Sequence, residues 1–263
     1  MDLKKQKRWR RDEEERGFLN ERVLMLVFRR MNWEPHALSH AACVSKKLEA
    51  VAKRLLWREL CVARAPRIVA ALTAEAPSGR IDGGWPALAK LFLFCCGFRP
   101  SRHFKTEACL PGHSVHQSRF SKTSGKSFLL RQCRGDLLYV SDPCEHSIGH
   151  CEDEIGVYRG VFRRFGKSRT LACLIRRRVR LEAGTVCPYC RAGVWSMTAA
   201  GMVPRSAARR LGACDGCLEY FVCVNGHLHG SCWLVPLSAD EGDDDDAEDI
   251  GDEKPNKISG FCN

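Results

Sequence analysis

Sixteen cysteines are spread along these 263 residues, and the way they are used limits what the chain can become. An exported chain would lock them into disulfides, whereas a reducing compartment leaves them as thiols or metal ligands. The first residues, Met1-Asp2-Leu3-Lys4-Lys5, lead into charge rather than into an apolar segment, so no secretory signal is read and the reducing alternative is expected. The longest apolar run, from Leu91 to Phe98, is far short of the roughly 20 residues that cross a bilayer. It reads as buried core, and no membrane partner is expected. Cys43, Cys61, Cys95, Cys96 and Cys173 sit among apolar neighbours, where a free thiol packs as a small hydrophobe.

Two cysteine pairs have ligand spacing. Cys187-Pro188-Tyr189-Cys190 has the shape of a zinc knuckle, two thiolates one turn apart, and Cys214-Asp215-Gly216-Cys217 repeats the C-x-x-C spacing. Together, Cys187, Cys190, Cys214 and Cys217 offer four soft ligands for a tetrahedral structural zinc; reduced, unligated thiols are the alternative. A further set, Cys223, His227, His229 and Cys232, fails on strand geometry. Asn225-Gly226 between two apolar runs predicts a hairpin with a two-residue type I′ turn. That register sets Val224 opposite His227 and Cys223 opposite Leu228, so Cys223 is expected on the face away from both histidines. Cys144, His146, His150 and Cys151 read as a chance cluster.

The N-terminal part reads as helical. Asn20 is a good N-cap, Glu21 suits a first turn, and Leu19 can staple onto Leu24. Val23, Leu24, Val27 and Phe28 then recur at helical spacing. Asn32-Trp33-Glu34-Pro35 breaks the run, Leu38, Ala41 and Ala42 mark a short second helix, and Ser45 can cap a third whose stripe runs from Leu48 to Leu60. About forty residues cannot bury much surface alone, so apolar groups left over are candidates for an interface.

This block resembles an F-box: leucine, turn residue, acid and aliphatics in Leu19-Asn20-Glu21-Arg22-Val23-Leu24, then Leu38, the Val44-Ser45-Lys46-Lys47 step and the closing Leu55-Leu56-Trp57-Arg58-Glu59-Leu60 helix. One departure is Asn20, where F-boxes usually carry proline; Asn keeps the cap but alters the adaptor contact. The resemblance extends through Arg64-Ala65-Pro66, Gly83-Gly84-Trp85, Ala87-Leu88-Ala89-Lys90-Leu91, Cys187-Pro188-Tyr189-Cys190, Trp195-Ser196-Met197 and Cys223-Val224-Asn225-Gly226-His227. Over Gly17 to Leu237 the chain is similar to the small plant F-box family named for hypersensitivity to far-red light (empfindlicher im dunkelroten Licht). The resemblance implies a nuclear, non-catalytic substrate receptor of an SCF-type ubiquitin ligase in plant light (phytochrome A) or hormone (abscisic acid) signalling. It would bind a Skp-type adaptor, and through it cullin and RING subunits, by way of Leu19, Asn20, Val23, Leu24, Val27, Phe28, Leu38, Val44, Ser45 and Trp57. A protein substrate would be held elsewhere. No cofactor is required by this reading.

The expected fold is α+β: a basic lead-in over 1–16, a three-helix F-box over 17–60, a connector over 61–86, a mixed α/β recruiting domain with hairpins over 87–238, and an acidic tail over 239–263. Within the recruiting domain, Phe128 to Cys133 and Leu137 to Val140 read as two strands of a tight hairpin, and Tyr158 to Phe165 and Ser168 to Arg180 as basic helices. Lys4, Lys5, Lys7, Arg8, Arg10 and Arg11 form a nuclear import candidate. Setting aside everything from Asp240 onward removes ten acidic residues and two lysines, leaving 40 basic against 21 acidic residues, a formal +19. That charge, with the run Arg176-Arg177-Arg178-Val179-Arg180, supports a rival reading as a nuclear nucleic-acid-binding regulator with a zinc ribbon. Enzyme readings fail on the residues. Ser124-Gly125-Lys126-Ser127 ends like a phosphate-binding loop, but the required earlier glycine is Phe120. The cysteine series Cys187, Cys190, Cys214, Cys217, Cys223 does not alternate with histidine as a RING finger does.

Overall fold

The computed structural model describes residues 20–74, 79–97, 112–115, 119–147, 154–204, 207 and 218–234. Leu19, the basic lead-in with Lys4, Lys5, Lys7, Arg8, Arg10 and Arg11, Cys214, Cys217, His150, Cys151 and the acidic tail lie outside them. Helices occupy the N-terminal third. α1 (Glu21–Arg30) starts where Asn20 accepts a hydrogen bond from the Arg22 N–H at 2.9 Å. α2 (Pro35–Val44) has proline at its first position and the Glu34 carboxylate as its cap. α3 (Lys46–Val51) is capped by the Ser45 hydroxyl, which accepts from the Leu48 N–H. It runs through a π turn (Ala52–Leu56) into α4 (Trp57–Arg64). Each start is thus set by a side chain satisfying a donor that the first helical turn leaves unpaired.

The span expected to be only a connector contains a helix of its own, α5 (Pro66–Thr73), with Ile68, Val69 and Leu72 buried. Pro66 starts it rather than breaking the chain, because a first-turn residue needs no N–H partner. α6 (Trp85–Leu93) follows.

The remainder is built on a fully antiparallel seven-stranded sheet in the order β1-β2-β4-β7-β6-β5. Its strands are β1 (Phe120–Ser121), β2 (Leu138–Ser141), β3 (Cys144–Ser147), β4 (Glu154–Phe162), β5 (Val194–Ser196), β6 (Leu218–Cys223) and β7 (His227–Leu234). β3 pairs with the first half of β4, beside β2 on its second half. Two further short helices among the described residues are α7 (Lys122–Ser127) and α8 (Arg169–Arg176).

Several sequence expectations are overturned here. Tyr158 to Phe165 is not a helix: Tyr158 to Phe162 belongs to the central strand β4, which is buried on both faces. A strand covered on both sides carries no polar alternation, so its pattern does not announce it. Phe128 to Cys133 is not a strand either; Arg131–Cys133 forms a 3-10 turn, while Phe128 and Leu129 are buried under the sheet. The second basic helix stops at Arg176, and Arg178 takes a left-handed φ of 52°. Gly125 serves packing rather than phosphate: a Cβ there would stand 2.2 Å from the Leu138 carbonyl oxygen of β2.

Two large cores sandwich the sheet, and a third, smaller cluster gathers Cys95, Ile155 and Val157. Residues of even number on β4, β6 and β7 (Tyr158, Phe162, Tyr220, Val222, Leu228, Cys232) join Phe128, Leu129, Phe165, Leu174 and Met197 on one face. On the other, Val161, Cys223 and Tyr139 join one continuous cluster with Cys187, Tyr189, Val194 and the helical residues Leu24, Phe28, Leu38, Leu56, Leu60 and Leu88. The helical third is therefore packed directly on the sheet.

Candidate docking face and metal centre

The packing of α1 divides its apolar residues into two groups. Leu24 and Phe28 are 7% and 4% exposed and belong to the core, whereas Val23, Leu26, Val27 and Met31 are 41%, 60%, 45% and 44% exposed. Positions 23, 27 and 31, with 26 between them, recur at i, i+4 and i+3 spacing, so they form one outward stripe. Val44, at the end of α2, is 75% exposed, and Ser45 is exposed beside it. Of the residues expected to touch the adaptor, Leu24, Phe28 and Leu38 are thus buried and can only support the face from beneath. Trp57 is half-buried, and Val23, Val27 and Val44 line the surface. Leu26 and Met31 are additions to it. Their spacing from Val23 and Val27 was the signal for them, but periodicity alone does not say which side of an apolar helix faces water. Glu21 pairs with Arg54 of the π turn, which ties α1 to the third helical segment and holds the Glu21 carboxyl below its usual range.

A second constellation lies where β6 and β7 turn. The observed ladder pairs Val222 with Leu228 and Phe221 with His229, one residue out of step with the register expected from Asn225-Gly226. Gly226 has a φ of 72°, Asn225 is not among the positive-φ residues, and the Gly226 N–H donates to the Cys223 carbonyl. This is a three-residue loop with glycine in the left-handed position, not a two-residue type I′ turn. A one-residue slip turns every side chain to the opposite face. It brings Cys223 level with His227 and onto the same side, reversing the expectation that the two point apart.

The Cys187–Cys190 turn meets this hairpin end. It is closed by the Cys187 N–H donating to the Ala192 carbonyl at 2.8 Å and the Arg191 N–H donating to the Cys187 carbonyl at 2.9 Å, with Arg191 at a φ of 65°. The donor atoms of Cys187, Cys190, Cys223 and His227 all lie within 4.8 Å of one another. His227 Nδ1 is 3.3 Å from Cys190 Sγ, 3.5 Å from Cys223 Sγ and 3.8 Å from Cys187 Sγ, and Cys190 Sγ is 3.7 Å from Cys223 Sγ. Further donors point at the sulfurs: the Tyr189 and Cys190 N–H groups at Cys187, the Asn225 amide at Cys190 (3.4 Å) and the His227 N–H at Cys223 (3.2 Å). The Cys190 thiol is held far below the ordinary thiol range, first by its hydrogen bond with Cys187 and then by that with Cys223. The Cys187 thiol is pushed up to about 11, chiefly by the same bond with Cys190, and Cys223 is also raised. So the first half of the sequence-predicted metal set converges, and its partners here are Cys223 and His227. A Cys-x3-His spacing on the hairpin was the available signal; the assumed register masked it.

Chemically, such a group can bind a soft metal ion. A looser group gathers Cys95, His113 and His146, again with donor atoms within 4.8 Å.

Comparison with known proteins agrees with the sequence resemblance. A family profile described as the C-terminal domain of EID1-like F-box protein 2 matches residues 101–233. The chain is 57% identical over 236 residues to EID1-like F-box protein 3 of Arabidopsis thaliana, covering 89% of this chain and 87% of that one. It is 44% identical over 246 residues to EID1-like F-box protein 1 (94% and 83% covered) and 45% identical over 228 residues to EID1-like F-box protein 2 (86% and 91% covered), both from the same plant. No solved structure matches.

Proposed function

This chain belongs to the EID1-like F-box protein family, and from that premise we propose that it is the substrate-recognition subunit of an SCF-type ubiquitin ligase. The observation that carries the proposal is the outward stripe of Val23, Leu26, Val27 and Met31 on α1, with Val44 also exposed at the end of α2. These side chains are apolar, they are on the surface, and the helices beneath them are already anchored to the sheet. A contiguous apolar patch on a packed surface marks a protein contact, and the Skp-type adaptor is the occupant that the F-box family suggests. Catalysis in this reading belongs to another subunit. The chain acts by proximity, raising the effective concentration of its target near the ubiquitin-loaded enzyme. A nuclear location and a role in plant light or hormone signalling follow from the family resemblance, and the target is a regulatory protein held on the sheet domain.

The nucleic-acid reading loses some of its support. Arg177 is committed to the carbonyls of Ala200 and Gly201, both at 2.9 Å, so part of the arginine run is structural. Binding of the purified full-length chain to a plant Skp adaptor tests the proposal. A properly folded wild-type chain that does not bind would overturn it, and titration with duplex DNA over a range of salt would then be the next measurement.

A further inference from the structure

A tetrahedral zinc site has metal–sulfur bonds of about 2.3 Å and metal–nitrogen bonds of about 2.0–2.1 Å. The corresponding ligand–ligand separations are therefore about 3.8 Å between sulfurs and about 3.6 Å between sulfur and nitrogen. The observed separations of 3.7 Å for Cys190–Cys223 and 3.3, 3.5 and 3.8 Å from His227 Nδ1 to the three sulfurs scatter around those values. They are far too long for a disulfide, whose sulfurs stand about 2.05 Å apart. We propose that Cys187, Cys190, Cys223 and Nδ1 of His227 bind one structural zinc ion. Three of the four ligand residues are buried and all four positions are filled by protein, which is the arrangement of a structural rather than a catalytic zinc. Three thiolates around a dication leave one net negative charge. The Asn225 amide and the N–H groups of Tyr189, Cys190 and His227 are placed to balance it from outside the ligand shell.

The position of this site gives it a task. Cys187, Tyr189, Val194 and Cys223 belong to the same buried cluster as the helical residues Leu24 to Leu91. Gly83, from the segment that links the two helical groups, lies against the His227 ring. A zinc here clasps the seam between the helical third and the sheet. It fixes the angle at which a target on the sheet is presented to whatever docks on α1. This role rests on the adaptor reading above; the metal itself does not.

The wild-type full chain, purified with reductant and without added zinc, is expected to carry metal that native mass spectrometry can count. Iodoacetamide labelling then assigns it. Cys187, Cys190 and Cys223 are expected to resist labelling in the zinc-bound protein and to label together once loss of metal is confirmed by mass. Native protein with less than roughly a tenth of an equivalent of metal, or labelling of these three that does not change with metal loss, overturns the site. Adaptor binding is not read in this experiment, so a failure here leaves the F-box reading standing.

Different residues carry a second site independently. A bridge between Phe94 and Ser114, with the Cys95 N–H donating to the His113 carbonyl, brings two distant segments alongside β3. Cys144 and His146 alternate onto one face of β3. Cys95 Sγ is 3.2 Å from His146 Nε2, the His113 and His146 rings are 5.1 Å apart, and the Cys144 thiol, beside Cys95 and His113, has its pKa lowered chiefly by its interaction with Cys95. We infer that Cys95, His113 and His146, whose donor atoms lie within 4.8 Å of one another, hold a second zinc with Cys144 beside them, drawing on a group that the sequence alone reads as chance. Two equivalents of zinc, with Cys95 and Cys144 also protected until metal loss, is the expected result. Zinc-bound protein in which Cys95 and Cys144 label freely overturns this second site and leaves the first intact.

Discussion

Gly83 lies directly against the imidazole of His227: a Cβ added to it would stand 2.4 Å from Cε1 and 3.1 Å from Nε2. The residue also has a φ of 76°, a region that costs any other residue energy. Gly83→Ala therefore combines backbone strain with a clash against a ring that cannot retreat into the sheet. It is expected to lower stability by about 1–3 kcal/mol, read as a drop in urea midpoint with unchanged slope. An unchanged midpoint would show that the loop can move off the ring at no cost.

The split of α1 into two faces separates docking from folding. Val23→Asp with Val27→Asp changes two exposed side chains and is expected to weaken adaptor binding by roughly a hundredfold or more, with circular dichroism and melting temperature close to wild type. Leu24→Ala is expected to do the reverse. It should cost about 2–4 kcal/mol of stability, because Leu24 is in the core, while folded protein retains its adaptor affinity. Equal binding by the double aspartate variant would remove this stripe as the interface.

Asp136 fastens α8 to the loop before β2. Its carboxylate accepts from the Arg169 N–H at 3.0 Å, the Thr170 N–H at 2.9 Å and the Thr170 hydroxyl. The two N–H donors are first-turn groups with no partner inside the helix. Asp136→Ala is expected to cost about 1–3 kcal/mol and to raise hydrogen exchange in Arg169 to Leu171 first. Exchange unchanged in that turn would count against the role.

Arg159 is fully buried on β4 with its guanidinium 5.8 Å from the Phe120 ring centre, and among the described residues none accepts a hydrogen bond from its side-chain nitrogens. A buried cation without a hydrogen-bonded partner is a cost to the fold. Arg159→Met keeps the stem and removes the charge, and is expected to raise stability by about 1–4 kcal/mol. A loss of stability in thermal denaturation would instead assign the guanidinium a compensating contact.

The starts of α1, α2 and α3 were legible because their causes are local. Asn20 and Ser45 cap the helices they were expected to cap, and each cap needs only residues two or three positions away. The Cys187-Pro188-Tyr189-Cys190 turn was legible for the same reason. What the sequence alone could not decide was everything that depends on which distant residues share a face. Strand β4 is buried on both sides, so it carries no alternation to read. The β6–β7 register turns on whether Asn225 or only Gly226 adopts positive φ. Either loop satisfies local turn chemistry, and the choice follows from burying Leu218, Tyr220 and Val222 with Leu228 and Cys232 in one core. That single step of register brought Cys223 and His227 to Cys187 and Cys190. Local hydrogen bonding therefore determined the first three helix starts from sequence, while the packing of a two-sided sheet decided the strands, the exposed face of α1 and both cysteine–histidine clusters.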